Sequence, residues 1–282
     1  MYPIWIANNK ENYKYILKNN KNYSKDISSW EKSFFCNSDK SDKNLSSLLE
    51  TYHLKRLVVE QSDLKTCLKA MEWTFHQLMG KVQENIEDIV AGKILKFCKK
   101  TRSGVNCLCH ATVLTEILLA LGYRARKISC CPIDVVPYDN HVVTTVYVPS
   151  LKKWIMLDPS MCCYIQANNS ILSIAEIREN LIQNRKMDVI TYNRFTIACN
   201  GFKKTLEFNT EEYITYLYKN FFRFLSREIQ SGCKTQKDDV VYMLVPKGYL
   251  PANYVYKDFF ENEMVEIRIT DNDVFFWNGI YI

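Results

Sequence analysis

The sequence predicts an α+β fold in which a cysteine-bearing helix packs on an antiparallel β-sheet, preceded by a helical extension and followed by a mixed α/β one. Three observations carry this expectation. Apolar residues recur at helical spacing through residues 63–98, an apolar helix opens at Cys107 and closes at Gly122, and strand-like runs fill residues 123–158.

Residues 19–44 are rich in Asn, Ser, Lys and Asp and read as a loop-rich, weakly structured lead-in. From Asp63 to Met79, Leu64, Cys67, Leu68, Met71, Phe75 and Leu78 recur three and four apart, with Ser62 as N-cap. A second helix is expected from about Glu84 to Cys98, burying Ile86, Ile89, Val90, Ile94 and Phe97. After Ser103 and Gly104, Asn106 caps a helix whose apolar stripe is Leu114, Ile117, Leu118 and Leu121, and Gly122 ends it. Strands are expected over 123–131, 141–148 and 153–158. Residues 171–186 read as a helix with a capping box between Ser173 and Glu176. A helix over 211–229, lined by Tyr213, Leu217, Phe221, Phe224 and Leu225, precedes strands in VVYMLVP and VEIRITDNDVFFW, the latter turning near Asp271 and Asn272. The expected organisation is a lead-in over 1–60, a core over 61–170, and a C-terminal extension over 171–282 that completes or flanks it.

Length and composition narrow the classes. At 282 residues the chain exceeds the usual single core, and 47% hydrophobic residues, with 18 Tyr and 14 Phe, exclude general disorder. The net charge of +6 is scattered, with no RNA-binding signature and no paired Cys/His finger spacing, so nucleic acid is not an expected partner. Eleven Cys is an odd count, and MYPIWIANNKENYKY has neither a basic start nor a continuous apolar stretch, which points to reduced thiols in the cytoplasm. No run approaches the ~18 apolar residues of a membrane span, so no membrane partner is expected.

A thiol in the first turn of a helix feels unsatisfied N–H groups that favour thiolate, which makes Cys107 a candidate nucleophile. Such a cysteine is more often a small buried hydrophobe, so a base has to be found. Of the four histidines, His53 and His76 lie in helical segments, His110 shares the helix of Cys107 without an obvious orienting acid, and His141 opens a strand. If the connection from Val148 to Lys153 is a two- or four-residue hairpin loop, residues whose numbers sum to 299 or 301 face each other. His141 and Asp158 then share a sheet face, directly opposite or diagonal, and the carboxylate can hold the imidazole in one tautomer. An odd loop without a bulge puts them on opposite faces. Cys107, His141 and Asp158 are thus candidates for nucleophile, proton carrier and orienting acid.

At these residues a family resemblance emerges. The stretches GVNCLCHATVLTEILLALGYRAR and DNHVVTTVYVPSLKKWIMLDPS resemble the Cys, His and Asp blocks of the transglutaminase-like superfamily. Cys107, Ala111, Leu121, Gly122 and Arg126 fit the frame of its nucleophile helix, which selects Cys107 over Cys109, and His141 and Asp158 fit its other two blocks. The resemblance implies a papain-like core and a thiol-dependent acyl transfer on a peptide or protein amide through a thioester, resolved by water or by a small amine, with no cofactor. The Cys107 N–H would be one oxyanion donor. Leu108 stands where animal tissue transglutaminases usually carry Trp, and no calcium-site context is found, so their protein-crosslinking activity is not carried over.

Two rival readings differ in class. Cys107, Cys109, His110, His141, Asp158 and the vicinal pairs Cys130-Cys131 and Cys162-Cys163 are nominal zinc ligands, but Cys-x-Cys-His on one helix lacks the two-residue knuckle spacing, so no metal is expected. A non-catalytic scaffold is the other; it predicts Cys107 sealed beneath side chains, where an enzyme predicts it reachable.

Overall fold

The computed structural model describes residues 9–25, 42–80, 84, 86–133, 140–192, 195–199, 202–206, 209–227, 241–249 and 267–278. Helix α1 (Lys10–Asn19), helix α2 (Lys43–Thr51) and a 3-10 turn at Leu54–Leu57 lie before residue 60. Leu17, Leu48, Leu54 and Leu57 are buried in the core, so the described parts of this stretch are packed; residues 26–41 of the expected lead-in fall outside the described residues. Helix α3 (Asp63–Leu78) starts at Ser62, whose Oγ accepts from the Lys65 N–H, and buries Cys67, Ala70, Met71, Phe75 and Leu78.

Helix α4 spans Ala91–Thr101 and does not begin at Glu84. The reason is that Glu84 is bound elsewhere: its N–H donates to Gly104 O at 2.9 Å and its carboxylate accepts from Ser103 Oγ at 2.5 Å. The opening N–H of α4, at Ala91, donates to Glu116 Oε2 at 3.1 Å, a cap reaching across from the next helix. Burial pushes the Glu116 carboxyl up to about 7, against the pull of Lys127 and the Ala91 N–H. A carboxyl raised on folding contributes stability below its unfolded pKa that is lost as pH rises through the folded one. Glu116→Gln keeps an acceptor for Ala91 and carries no charge, so it should melt higher than the parent at pH 7.5, by on the order of 1 kcal/mol once partial exposure is allowed for, and equally near pH 4. Thermal melts at the two pH values check it; an equal gap at both refutes it.

Helix α5 (Cys107–Ala120) is buried nearly all round, from Cys109 through Thr115 and again at Ile117, Leu118 and Leu119, not along one stripe. It ends in a Schellman closure: the Gly122 N–H donates to Leu119 O and the Tyr123 N–H to Leu118 O, with Gly122 at φ +89°. Strands β1 (Ala125–Cys131), β2 (His141–Val148) and β3 (Lys153–Leu157) follow, then β4 (Cys163–Ala167), β5 (Ser170–Ile171), α6 (Ile174–Ile182) and β6 (Asp188–Thr191). Helix α6 carries the expected capping box between Ser173 and Glu176. The rest is β7 (Phe195–Cys199), β8 (Phe202–Leu206), α7 (Thr210–Asn220), β9 (Arg223–Arg227), β10 (Val241–Leu244), β11 (Ile267–Thr270) and α8 (Asp273–Asn278).

Two C-terminal expectations are corrected. The helix expected over 211–229 stops at Asn220, and Phe224 and Leu225 lie in β9, paired with β1; Glu228 and Ile229 fall outside the described residues. The segment after Asp271 is helical, because Asn272 Oδ1 accepts from the Phe275 N–H as an N-cap where a hairpin turn was expected.

The principal sheet has the order β11-β10-β9-β1-β2-β3, antiparallel throughout except for the parallel β10–β11 pair at one edge. Alternation along the strands serves two cores: Val146, Val148, Ile155 and Leu157 join helices α2 to α5, while Ile128, Val143 and Met156 join the cluster containing Leu17, Ile177, Tyr213, Leu217 and Phe276. Tyr213, Leu217 and Phe276 from the C-terminal elements are thus buried in one cluster with Ile128, Val143 and Met156 of the sheet. Arg178 on α6 ties this second layer together, donating to Asn20 O, Lys21 O and Phe221 O.

Candidate active site

Cys107 is the first residue of α5, fixed there by Asn106, whose Oδ1 accepts from the Cys109 N–H at 3.1 Å. As the opening helical residue, its own N–H has no intrahelical acceptor. The helix is held on β2 by polar contacts: Thr144 Oγ1 donates to Ala111 O and lies 3.2 Å from Thr115 Oγ1. Cys107 is part-exposed, whereas Cys67, Cys98, Cys109, Cys130, Cys131, Cys162 and Cys163 are all buried.

The β2–β3 register pairs Thr144 with Leu157 and Val148 with Lys153, so the loop is four residues long, a 3-10 turn at Pro149–Leu151 closed by Lys152 at φ +52°. His141 and Asp158 are accordingly diagonal neighbours on one face, and His141 Nε2 lies 2.5 Å from Asp158 Oδ2. With Nε2 engaged, Nδ1 is the ring nitrogen left for the Cys107 thiol, which is close enough to act on the imidazole. Burial works against the imidazolium, yet the Asp158 charge and hydrogen bond, together with Cys107, raise the His141 pKa to about 10. Burial likewise opposes an ionised Asp158, but the charge and hydrogen bond of His141, with those of Ser160 and Tyr213, hold it below the usual carboxylate range.

Both oxygens of Asp158 are occupied. Oδ1 accepts from Ser160 N–H (3.0 Å), Ser160 Oγ (2.7 Å) and Met161 N–H (3.1 Å), while Oδ2 accepts from His141 and from the Tyr213 hydroxyl at 2.8 Å. Tyr213, on α7, was legible in the sequence only as an apolar lining position. One turn on, Tyr216 meets the His141 ring edge-on at 5.3 Å.

The other histidines are placed apart from this pair. His76 is exposed on α3, while His53, expected in a helical segment, holds a left-handed turn between α2 and the 3-10 turn at φ +51°. His110 is buried, lowered to about 4 by that burial despite Asp158 and the Pro159 carbonyl. A carbonyl only accepts, so His110 Nδ1 carries a proton and donates to Pro159 O at 3.1 Å. This neutral imidazole ties the nucleophile helix to the turn after Asp158. Of the vicinal pairs, Cys130 lies opposite His141 across β1–β2, and Cys163 exchanges two backbone hydrogen bonds with Asp158. Among the described residues no group of three or more His, Cys, Asp and Glu is arranged to hold a metal ion, and none of the described helices is long and apolar enough to cross a membrane.

Residues 62–159, about a third of the chain, match the family model of the transglutaminase-like superfamily, and the matched segment includes Cys107, His141 and Asp158. No curated protein matches. Among solved structures, one titled "Putative Cysteine Protease from Cytophaga hutchinsonii" aligns at 18% identity and a TM-score of 0.31, over 54% of this chain. The alignment spans half of that protein's length.

Proposed function

We propose, on the premise that residues 62–159 carry a transglutaminase-like core, that this protein is a thiol-dependent acyl-transfer enzyme acting on a peptide or protein amide. The Cys107 thiolate attacks the amide carbonyl carbon, and the C–N bond breaks as the His141 imidazolium delivers its proton to the departing amine. The thioester left on Cys107 is resolved by water or a small amine, from which neutral His141 takes a proton. Asp158 keeps the ring aimed and balances its charge. The Cys107 N–H is one donor to the oxyanion. In this reading residues 61–170 form the catalytic core, with 1–60 as lead-in and 171–282 completing it.

The observation that carries the reading is the part-exposure of Cys107 against the burial of Cys67, Cys98, Cys109, Cys130, Cys131, Cys162 and Cys163, since a retained scaffold has no need to keep this thiol reachable. The test is capture of the acyl-enzyme. Incubation with a mixture of glutamine- and asparagine-containing peptides, followed by acid quench and mass spectrometry, should find a peptide acyl group on Cys107 that is absent from Cys107→Ala. Prolonged incubation that leaves Cys107 unmodified and every peptide intact would favour the scaffold.

A further inference from the structure

The Asp158 carboxylate is 0% exposed, and its two oxygens are held differently. Oδ1 takes three donors from its own turn, at Ser160 and Met161, which would be present whatever the rest of the chain did. Oδ2, the oxygen that meets His141, has one further donor, the Tyr213 hydroxyl at 2.8 Å. A carboxylate only accepts, so the phenol donates. Tyr213 is itself 0% exposed, packed among Leu217, Phe221 and Met156, and its hydroxyl also contacts the Cys163 thiol beside Asp158. The other titratable groups around Asp158 are His141 on β2, His110 on α5, Cys130 on β1 and Cys163 on β4, and Cys107 on α5 acts on His141. Near neutral pH His141 alone among these carries a full positive charge, because burial keeps His110 neutral.

We infer that Tyr213 is a positioning residue of this site, holding Asp158 ionised and aimed at His141 from a helix that lies outside the family-matched segment. The inference rests on the acyl-transfer reading above. Its physical basis is that a buried carboxylate with one donor on its working oxygen can rotate away or take up a proton, and a second donor on that oxygen opposes both. Helix α7 then supplies two contacts one turn apart: Tyr213 holds the acid, and Tyr216 stands edge-on to the imidazole. The C-terminal extension becomes part of the active site.

Tyr213→Phe removes the hydroxyl and keeps the ring. The rate of Cys107 alkylation by iodoacetamide, measured against pH, should keep its plateau while the midpoint of its acid limb moves up by about one pH unit, the scale of a hydrogen bond to a charged group. On that limb the rate at a given pH should be about tenfold lower. In an Asp158→Asn background, where no carboxylate is left to hold, adding Tyr213→Phe should change nothing further. An unmoved midpoint, a fall that is equal at every pH, an unfolded variant or additivity with Asp158→Asn would each make Tyr213 a packing residue and overturn the inference. His141→Ala separates the two levels. If it leaves alkylation of the parent chain unchanged, the acyl-transfer reading fails; if it slows alkylation and Tyr213→Phe does not, only the role of Tyr213 fails.

Discussion

Iodoacetamide should modify Cys107 ahead of the seven buried cysteines at neutral pH, and His141→Ala should slow that labelling about tenfold or more. The competing thiols are disfavoured twice, by access and by ionisation. Burial pushes Cys67, Cys109 and Cys131 to about 12, and Cys130 and Cys163 well above the ordinary thiol value. A thiol at about 12 is thiolate in only about one molecule in 10⁵ at pH 7, so the margin in favour of Cys107 does not depend on fine geometry. Cys107 has the helix N-terminus behind it and the His141 imidazole near enough to act on it. Removing the imidazole removes the cation that balances the thiolate, and the loss should be greatest in mildly acid solution, where a thiol without that cation is almost wholly protonated. Asp158→Asn should act in the same direction by less, since an amide can still hold the ring but brings no charge. Mass spectrometry that finds Cys109 or a vicinal pair labelled first, with His141→Ala inert, would remove Cys107 as nucleophile.

Legibility in the sequence followed the range of the interactions. The cap at Asn106, the closure at Gly122, the capping box at Ser173 and the even loop after Val148 are all decided within a few residues, and each was readable there. Parity then brought His141 and Asp158 to one face without any knowledge of the sheet. The failures are equally physical. Phe221, Phe224 and Leu225 continue the helical spacing of Tyr213 and Leu217, yet β1 offers a pairing edge at Cys131, and that tertiary contact converts the segment to a strand. Asn272 was read as a turn and is a helix cap, two outcomes of one local hydrogen bond. Helix α4 lost about its first two expected turns to a contact between Glu84 and residues 103–104.

Tyr213 and His110 illustrate the harder limit. Neither residue type nor spacing says that a tyrosine on an apolar helical stripe will turn its hydroxyl to a carboxylate 55 residues away, or that a histidine will bond a carbonyl 49 residues on. The mixed sheet has the same origin, because β11 joins it in parallel through a long connection that no local pattern marks.

Gly80→Ala should impair the site from outside it, lowering stability by about 1–3 kcal/mol and Cys107 reactivity by on the order of 100-fold. Gly80 follows α3 and passes against the backbone that leads into the nucleophile helix. A Cβ there would lie 1.9 Å from Gly104 N, 2.1 Å from Ser103 C and 2.7 Å from Ser103 Cα. These are main-chain atoms, which cannot swing aside as a side chain would. Segment 103–104 would have to move, and it is tethered on its other side by the Glu84 N–H to Gly104 O and by Ser103 Oγ to the Glu84 carboxylate. Asn106 and Cys107 follow within three residues, so the displacement reaches the thiol before it can dissipate. Gly104→Ala is the matched control: its Cβ would meet Gly80 N at 3.1 Å and Leu78 O at 3.5 Å, a tight but tolerable fit. Melting temperature and alkylation rate, measured on both variants, should separate them clearly. Equal behaviour of the two alanines would mean that the approach of Gly80 to Gly104 does not set the position of Cys107.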